Sequence, residues 1–512
     1  MEEKKLLIDI REKPSTGKWF ILSFQHVFAM FGSTVLVPML TGLPINTALL
    51  CSGIGTFIYI LCTKARCPIY LGSSFAYISA IIAALGASVS DPDFSQKANF
   101  AAVATGLMTA GLVYVVFSIL IRLIGTNWIN KILPPIVVGP MIAVIGLGLA
   151  GSACSNAGFV VPEGGTMNWQ FVIVALITIL ATALVAVYAK GFFKIVPIVS
   201  GILVGIVASI AVDLIFNLGA GAENQLILSK LAVVWTDLKT FDLFEIPKIM
   251  LPIGNDTLKS TTFVSYTPDF SYALAIIPVA FVTMAEHIGD HTVLGQICGK
   301  NFLKDPGLDR TLLGDGIATF VAGMIGGPAN TSYGENTGVV GMTRVGSVYV
   351  TGGAACFAIL IAFIKPFKDL IASIPNPVMG GICVILFGFI AANGLRVLVD
   401  AKVDFGQTRN TIIASVMLVL GLGGAAIQLT KLQSLSGMAL AALAGIILNL
   451  ILPEKKANKA DPALTLIPEG GEFEEAEKMT EFLEKGEKRK SNFSIKTNNG
   501  GGNCLPPPLL LD

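Results

Sequence analysis

Four carboxylates stand where carboxylates are costly. Glu286 and Asp290 are four residues apart in Ala285-Glu286-His287-Ile288-Gly289-Asp290-His291, so on a helix both fall on one face. Asp315 sits in Gly314-Asp315-Gly316, and Glu335 follows Ser332-Tyr333-Gly334. Each lies in a largely apolar stretch, with no Lys or Arg inside these stretches until Arg344. An ionisable group within a bilayer costs roughly 2.5–3.5 kcal/mol on insertion scales, so its retention points to use. Burial without a cation favours the protonated carboxyl, and a carboxyl poised near neutral pH can take up and release a proton in each turn of a transport cycle. The competing assignment is structural, with Ser, Asn or backbone donors satisfying each carboxyl. It weighs most on Asp290 and Asp315. Asp213, at the end of an apolar run, reads as interfacial.

The three histidines are His26, His287 and His291. The last two are spaced i, i+4 as zinc ligands can be, but the sequence is not H-E-x-x-H and supplies no evident third ligand. No metal and no cofactor is therefore expected. His26 is expected to make an internal hydrogen bond joining the first apolar segment to the helix of Glu286. The eight cysteines lie mostly inside apolar runs without metal-ligand spacing and read as packed free thiols.

The elements that must position these groups follow from composition. Hydrophobic residues make up 53% and charged residues 13% of 512, against roughly 25% charge in soluble domains. That excludes an ordinary water-soluble enzyme. A net charge of +1 gives no basic field for nucleic acid. Residues 453–512 hold 20 of the 69 charged residues and read as a polar tail, with a charged amphipathic helix over Glu469 to Lys490 and a Gly/Pro-rich end. The remainder is an all-α polytopic membrane protein. Spanning takes about 20 apolar residues, and fourteen segments qualify: 19–40, 44–63, 68–89, 98–123, 132–152, 169–189, 192–217, 271–289, 311–327, 328–344, 345–364, 376–397, 410–430 and 435–452. Lys and Arg number 18 in or beside one set of loops and 8 on the other, with four of those in the long loop 218–270. Both termini are therefore expected to be cytoplasmic and that loop external.

The two halves echo one another. Leu133-Pro134-Pro135-Ile136 resembles Ile374-Pro375-Asn376-Pro377 at an offset of 241, Ser73-Ser74-Phe75 resembles Thr331-Ser332-Tyr333 at 258, and Gln25-His26 resembles Glu286-His287 at 261. Seven segments per half is odd, so the second half enters the bilayer inverted, as in many secondary transporters. Segments 3 and 10 are broken by Gly72-Ser73-Ser74 and by Ala329-Asn330-Thr331-Ser332. Irregular backbone at membrane depth must be buried in protein or line a cavity, and paired breaks point to a substrate site.

Glu335-Asn336-Thr337-Gly338-Val339-Val340-Gly341-Met342-Thr343-Arg344 fits the signature (Q/E/P)-N-x-G, four residues, T-(R/K/G) and resembles the nucleobase–ascorbate transporter family. Gln25-His26, Gly72-Ser73-Ser74-Phe75-Ala76, Ala285-Glu286-His287-Ile288-Gly289 and Gly394-Leu395-Arg396-Val397-Leu398 are similar to that family too. The resemblance runs from about residue 15 to 453. It implies a 7+7 inverted repeat with short strands in segments 3 and 10. After a cytoplasmic N-terminus (1–18), residues 19–123 and 271–364 would form a core domain and 132–217 and 376–452 a gate domain, with a cytoplasmic tail at 453–512. It implies that Glu286 and Glu335 bind a nucleobase, with Phe75 and Gly334 contributing backbone contacts and Phe75 its ring. It also implies a homodimer in the cell membrane. Glu at 335 is similar to uracil-type members, whereas purine and urate members usually carry Gln. Asp290 stands where the best-matching uracil-type members carry His, and Phe387 where some of them carry Tyr.

Uracil suits such a site: it is flat and neutral, with two N–H donors for carboxylates and two carbonyls for backbone N–H groups. Phe75 and Tyr333 offer stacking faces. His26, Asp290 and Asp315 are the expected relay around Glu286, with a proton, or else Na⁺, as the coupling ion. The expectation is an importer of uracil with alternating access. The alternatives are a purine or xanthine symporter on the same scaffold, an anion transporter of similar fold, a metal hydrolase using His287 and His291, and a channel.

Overall fold

The computed structural model describes residues 6–453 except 88, 90–92, 162–163, 195, 218–224, 255–261 and 429–433. The tail, with the helix expected over Glu469 to Lys490, lies outside the described residues. Apolar runs fold as helices because a helix satisfies its own backbone where no water can. In the first half these are α1 (Thr16–Thr41), α2 (Ile45–Cys62), the strand β1 (Leu71–Ser73), α3 (Ile78–Leu85) after a 3₁₀ turn at Phe75–Tyr77, α4 (Phe94–Lys97), α5 (Phe100–Ile124), α6 (Asn127–Ile132), α7 (Pro135–Gly148), α8 (Ala150–Asn156), α9 (Trp169–Tyr188) and α10 (Pro197–Phe216). A connecting segment holds α11 (Leu228–Lys239), β2 (Ile249–Leu251) and β3 (Phe263–Ser265). The second half holds α12 (Ala273–Cys298), α13 (Leu308–Met324), β4 (Asn330–Ser332), α14 (Gly334–Thr343), α15 (Val348–Ala362), α16 (Lys365–Ala372), α17 (Asn376–Asp400), α18 (Thr408–Leu422), β5 (Ala426–Gln428), β6 (Ser434–Ser436) and α19 (Gly437–Ile451).

Eight of these are long and apolar enough to cross a membrane: α1, α2, α5, the run Pro135–Asn156, α9, α10, α12 and α17. Four shorter apolar helices, Phe75–Leu85, α15, α18 and α19, accompany them. Two boundaries differ from the sequence expectation. α12 continues past 289 to Cys298 and stops where Gly299 turns left-handed at φ 63° and its N–H caps on Gly295. Hydropathy falls at His287, Asp290 and His291, but both histidines are hydrogen-bonded inside the protein, so the helix carries on. The segment expected as a long loop contains α11, seated on Asp213. That carboxylate accepts from the N–H groups of Leu226, Ile227 and Leu228 at 2.8, 2.8 and 3.1 Å, which suits a helix start. At its far end α11 is tied to the region of α16 by Lys365–Asp237 at 3.0 Å and by the pairs Lys365–Asp242 and Lys368–Glu245. The Lys365 ammonium holds the Asp237 carboxyl below its usual range. The Lys365–Asp237 pair thus persists at neutral pH and is lost as the pH falls through that lowered value.

Helices α1, α2, α5, α13 and α15 pack together; α7, α9, α10, α17, α18 and α19 form a second group, and α12 touches members of both. Backbones approach closely where small residues permit it. At the α5–α13 crossing a Cβ on Gly316 would lie 2.6 Å from Tyr114 Cβ and 3.0 Å from the Gly111 carbonyl. At the α7–α17 crossing a Cβ on Gly394 would lie 2.6 Å from the Gly139 carbonyl.

Between α2 and α12 the two broken segments meet. β1 and β4 pair antiparallel, Leu71 with Ser332, Gly72 with Thr331 and Ser73 with Asn330. The ladder ends symmetrically: Ser74 N–H donates to the Ala329 carbonyl at 2.9 Å and Tyr333 N–H to the Tyr70 carbonyl at 3.1 Å. Side chains complete the outer edges. Thr56 Oγ1 accepts from Leu71 N–H at 3.0 Å, Ser52 Oγ donates to the Leu71 carbonyl at 2.7 Å, and Thr319 Oγ1 donates to the Asn330 carbonyl at 2.6 Å. The far end of α14 is closed by Arg344, left-handed at φ 58°. The Arg344 carbonyl accepts from Leu7 N–H at 2.8 Å, so the N-terminal segment laces onto this end.

Replacing Gly316 by Leu should force the α5–α13 crossing apart. The expected loss is about 1–3 kcal/mol, read as a lower melting temperature of the purified protein. Gly388→Ala, where a Cβ meets nothing within 4 Å, should leave it unchanged.

Candidate functional site

From the β1–β4 ladder two chain segments lead away: the 3₁₀ turn at Phe75 and the first turn of α14 at Gly334. α12 runs alongside α14. This brings the expected residues of the second half together. Gly334 is exposed, and a Cβ there would sit 3.1 Å from Asp290 Oδ1. Glu286 lies within electrostatic reach of Glu335 and Asp315. Glu286, Gly289, Asp290 and Glu335 are half-buried and Gly338 is exposed. A Cβ on Gly289 or Gly338 would meet nothing within 4 Å. One face of α12 and one face of α14 thus carry two glutamates and an aspartate beside glycines that leave room.

Glu335 is held from α1, where Ser33 Oγ donates to its Oε1 at 2.8 Å. Asn336 donates through Nδ2 to His26 Nδ1 at 3.0 Å and to the His26 carbonyl at 3.1 Å. His26 therefore ties α1 to α14, the helix of Glu335, rather than to α12 as expected. Tyr333 is buried. Its ring lies across Gly72, where a Cβ would be 2.3 Å from the ring, and its hydroxyl donates to the Ser73 carbonyl at 2.7 Å and accepts from Thr34 at 3.2 Å. Its side chain clamps the two strands instead of facing the open side. Phe75 is 9% exposed, and its ring meets Phe387 of α17 edge-on at 6.2 Å.

Asp315 lies behind the ladder, fully buried. Its carboxylate accepts from the Ser332 N–H at 3.1 Å and from Ser332 Oγ at 3.1 Å, and bonds His287 Nδ1 at 2.8 Å. His287 accordingly carries its proton on Nδ1. The next ring along, His291, has Nδ1 2.7 Å from the His287 carbonyl, so it donates there, and its Nε2 accepts from the Tyr59 hydroxyl at 2.5 Å. Both nitrogens of His291 are committed. Among the described residues no cluster of three or more His, Cys, Asp or Glu side chains is placed to hold a metal, and the donor set gives the hydrolase alternative no third ligand. The seven described cysteines are free thiols.

Ser33, Ser332 and Tyr59 were not singled out in the sequence. Ser33 had a signal, since it lies seven residues after His26 and so on the same helical face. Ser332 lay in a motif already noted for breaking a helix. Tyr59 had none: it meets His291 across 232 residues of chain.

The profile of the Permease family matches residues 17–430. The chain belongs to this family. The resemblance carried by Glu335 to Arg344 is thereby borne out: the chain is a multi-pass membrane protein of permease type, not an enzyme. The uracil permease of Bacillus caldolyticus is 45% identical over 450 residues, 88% of this chain and 95% of that protein. The uracil permease of Bacillus subtilis (strain 168) is 44% identical over 467 residues, 90% and 98% of the two chains. That of Escherichia coli (strain K12) is 37% identical over 446 residues, 87% and 93%. Among solved structures, the transmembrane domain of the cyanobacterium bicarbonate transporter BicA superposes with a TM-score of 0.51 at 15% identity, over 85% of this chain and 97% of that one. The murine Slc26a9 anion transporter in its inward-facing state gives 0.59 at 11% identity, over 86% and 69%. These show a shared transporter fold.

Asp315→Asn should loosen the junction of α12, α13 and β4, because an amide cannot accept from Ser332 and His287 as a carboxylate does. The expected loss is roughly 1.5–3 kcal/mol. In a double-mutant cycle with Ser332→Ala, melting curves should show coupling of about 0.5–3 kcal/mol; simple additivity would remove Asp315 from this junction.

Proposed function

We propose that this permease imports uracil across the cytoplasmic membrane in symport with a proton. The observation that carries the proposal is the uncovered face shared by α12 and α14, where Glu286, Asp290 and Glu335 converge beside Gly334 with no Lys or Arg among them. The names of the three relatives, at 37–45% identity over most of the chain, support the choice of base. Fold neighbours named for bicarbonate and anion transport do not support anion transport here, because an anion would want a cation where this face presents carboxyls.

In this proposal Glu286 and Glu335 accept from the ring N–H groups of uracil, and N–H groups at Phe75 and Gly334 meet its carbonyls, as half-helix starts favour. The Phe75 ring lies against the base. Tyr333 acts by fixing the strands that set Gly334 in place. Protonation of Glu286 removes its charge from the site on loading, and loss of that proton inside releases the base. Asp290, one turn along α12 on the same face, is the carboxyl to receive that proton; His26 and Asp315 hold the two sides of the site in register. Fourteen spans in a 7+7 inverted repeat are proposed, with residues 19–123 and 271–364 as the moving core and 132–217 and 376–452 as the gate. Both termini would be cytoplasmic, and two copies would associate through their gates. Motion of one group against the other gives alternating access.

Proteoliposomes separate the claims. An acid exterior should drive uracil accumulation, and a Na⁺ gradient alone should not; the reverse result would reassign the coupling ion. Glu286→Gln should abolish accumulation driven by the pH gradient while leaving the protein folded. Full gradient-driven uptake by that variant would end the coupling role. Glu335→Gln should weaken uracil binding by roughly ten- to hundredfold, the cost of one hydrogen bond to a charged acceptor. An inhibition profile across uracil, xanthine and uric acid unchanged from wild type would exclude Glu335 from base selection.

A further inference from the structure

Apart from the carboxylate face, a cavity of about 610 Å³ opens between the N-terminal segment, the end of α2 and the start of α15. Its lining contains three cations, Arg11, Lys13 and Lys64, and no carboxylate. All three are exposed. Among the described residues none has a carboxylate partner; Arg11 reaches only the Lys64 carbonyl, at 3.4 Å. Of the described acids of the same segment, Asp9 is turned to Lys300 at 3.0 Å and Glu12 to the Asp9 N–H at 3.1 Å. Among the described residues no carboxylate compensates the positive charge at the mouth.

Behind the cations the wall becomes apolar, with Phe57 and Ile60 from α2 and Val348 and Tyr349 from α15. Gly352 leaves the depth open: a Cβ there would only touch Ile60 at 3.6 Å and Phe57 at 3.9 Å. Trp19 stands at the edge with its indole N–H donating to the Tyr349 carbonyl at 2.8 Å. From Trp19 an aromatic seam runs along α1. Trp19, Phe20 and Phe24 gather around Phe357 of α15 at 6.2, 5.0 and 5.8 Å, and Phe20 and Phe24 remain 52% and 40% exposed. A cationic mouth, an interfacial Trp and an exposed apolar seam match a molecule with an anionic head and a long hydrocarbon chain. Free phosphate would engage the mouth and leave the rest unused.

We propose that this groove binds one anionic phospholipid, its phosphodiester held by Arg11, Lys13 and Lys64 and its acyl chain laid along α2, α15 and the aromatic seam. The site rests on the membrane placement proposed above but not on the uracil assignment. Its occupant joins the N-terminal segment to α1, α2 and α15, the helices that support Glu335 and the strand ladder, so it should stiffen that group.

The test uses the full-length protein in detergent, with phosphatidylglycerol, phosphatidylcholine of the same acyl chains, and inorganic phosphate as probes. Native mass spectrometry reads retention and thermal melting reads stabilisation. One phosphatidylglycerol should be retained and should raise the melting temperature, while phosphatidylcholine and phosphate do neither. Neutralising one cation should weaken retention about fivefold, and the triple change Arg11→Gln, Lys13→Gln, Lys64→Gln on the order of a hundredfold. Gly352→Leu, which fills the apolar part and keeps the charges, should also lose the lipid. Equal retention of phosphatidylcholine, equal stabilisation by phosphate, or undiminished retention by the triple variant would each overturn the site. The wild-type lipid panel decides the matter even where a variant fails to fold. Uracil binding measured in parallel keeps the two proposals apart: lipid retained without uracil binding would end the uracil assignment and leave the groove standing.

Discussion

Backbone groups that leave a helix inside a bilayer must find partners, and most of this structure can be understood as the answer to that demand at two places. Leu71–Ser73 and Asn330–Ser332 each interrupt an apolar segment. Left alone, each would strand several N–H and C=O groups at a cost of several kcal/mol apiece. They meet and satisfy one another, and Ser52, Thr56 and Thr319 take the edges that a two-stranded ladder cannot. The ladder fixes where two helical segments begin. It thereby places the first turn of α14 beside α12, and it lets the Asp315, His287 and Ser332 bonds weld three elements behind it. What remains on the other side is a surface with carboxyls and no cation.

Division of labour among the acidic residues follows from the same geometry. Asp315 is saturated with donors and sits where nothing can reach it, so its chemistry is architectural. Glu335 has one neutral donor, Ser33, and an open side. Glu286 and Asp290 have neither a cation nor a full set of donors; Asp290 Oδ2 has no partner among the described residues. Groups left short of partners are the ones that the proposed cycle uses to exchange a proton or accept from the base. Four acids that look alike in sequence are sorted by how many hydrogen bonds the fold grants each.

Much of this was legible because breaks in apolar runs are conspicuous. Gly72-Ser73-Ser74 and Asn330-Thr331-Ser332 could be paired from sequence, and the ladder joins them. The end of α12 was not legible, because hydropathy counts His287, Asp290 and His291 as losses, whereas inside the protein His287 is matched by Asp315 and His291 by the His287 carbonyl. Tyr333 looked like a stacking residue because aromatic character shows in a sequence and ring direction does not; Gly72, which makes room for the ring, lies 261 positions earlier in the chain. The helix α11 escaped notice since its start depends on Asp213, which accepts from the N–H groups there from 13 to 15 residues earlier in the chain. Partners far apart in the chain, such as Tyr59 and His291, leave no local trace.

The ladder also constrains how the protein is made. Ser73 and Tyr333 touch, yet 260 residues separate them. At a synthesis rate of roughly 5–20 residues per second, the first strand waits on the order of 13–50 s for its mate. Throughout that interval the nascent chain holds a helix-breaking stretch with unmet polar groups. Insertion of the first half is therefore provisional, sheltered by the translocation machinery or by water, and the permanent arrangement is sealed only when the second half arrives.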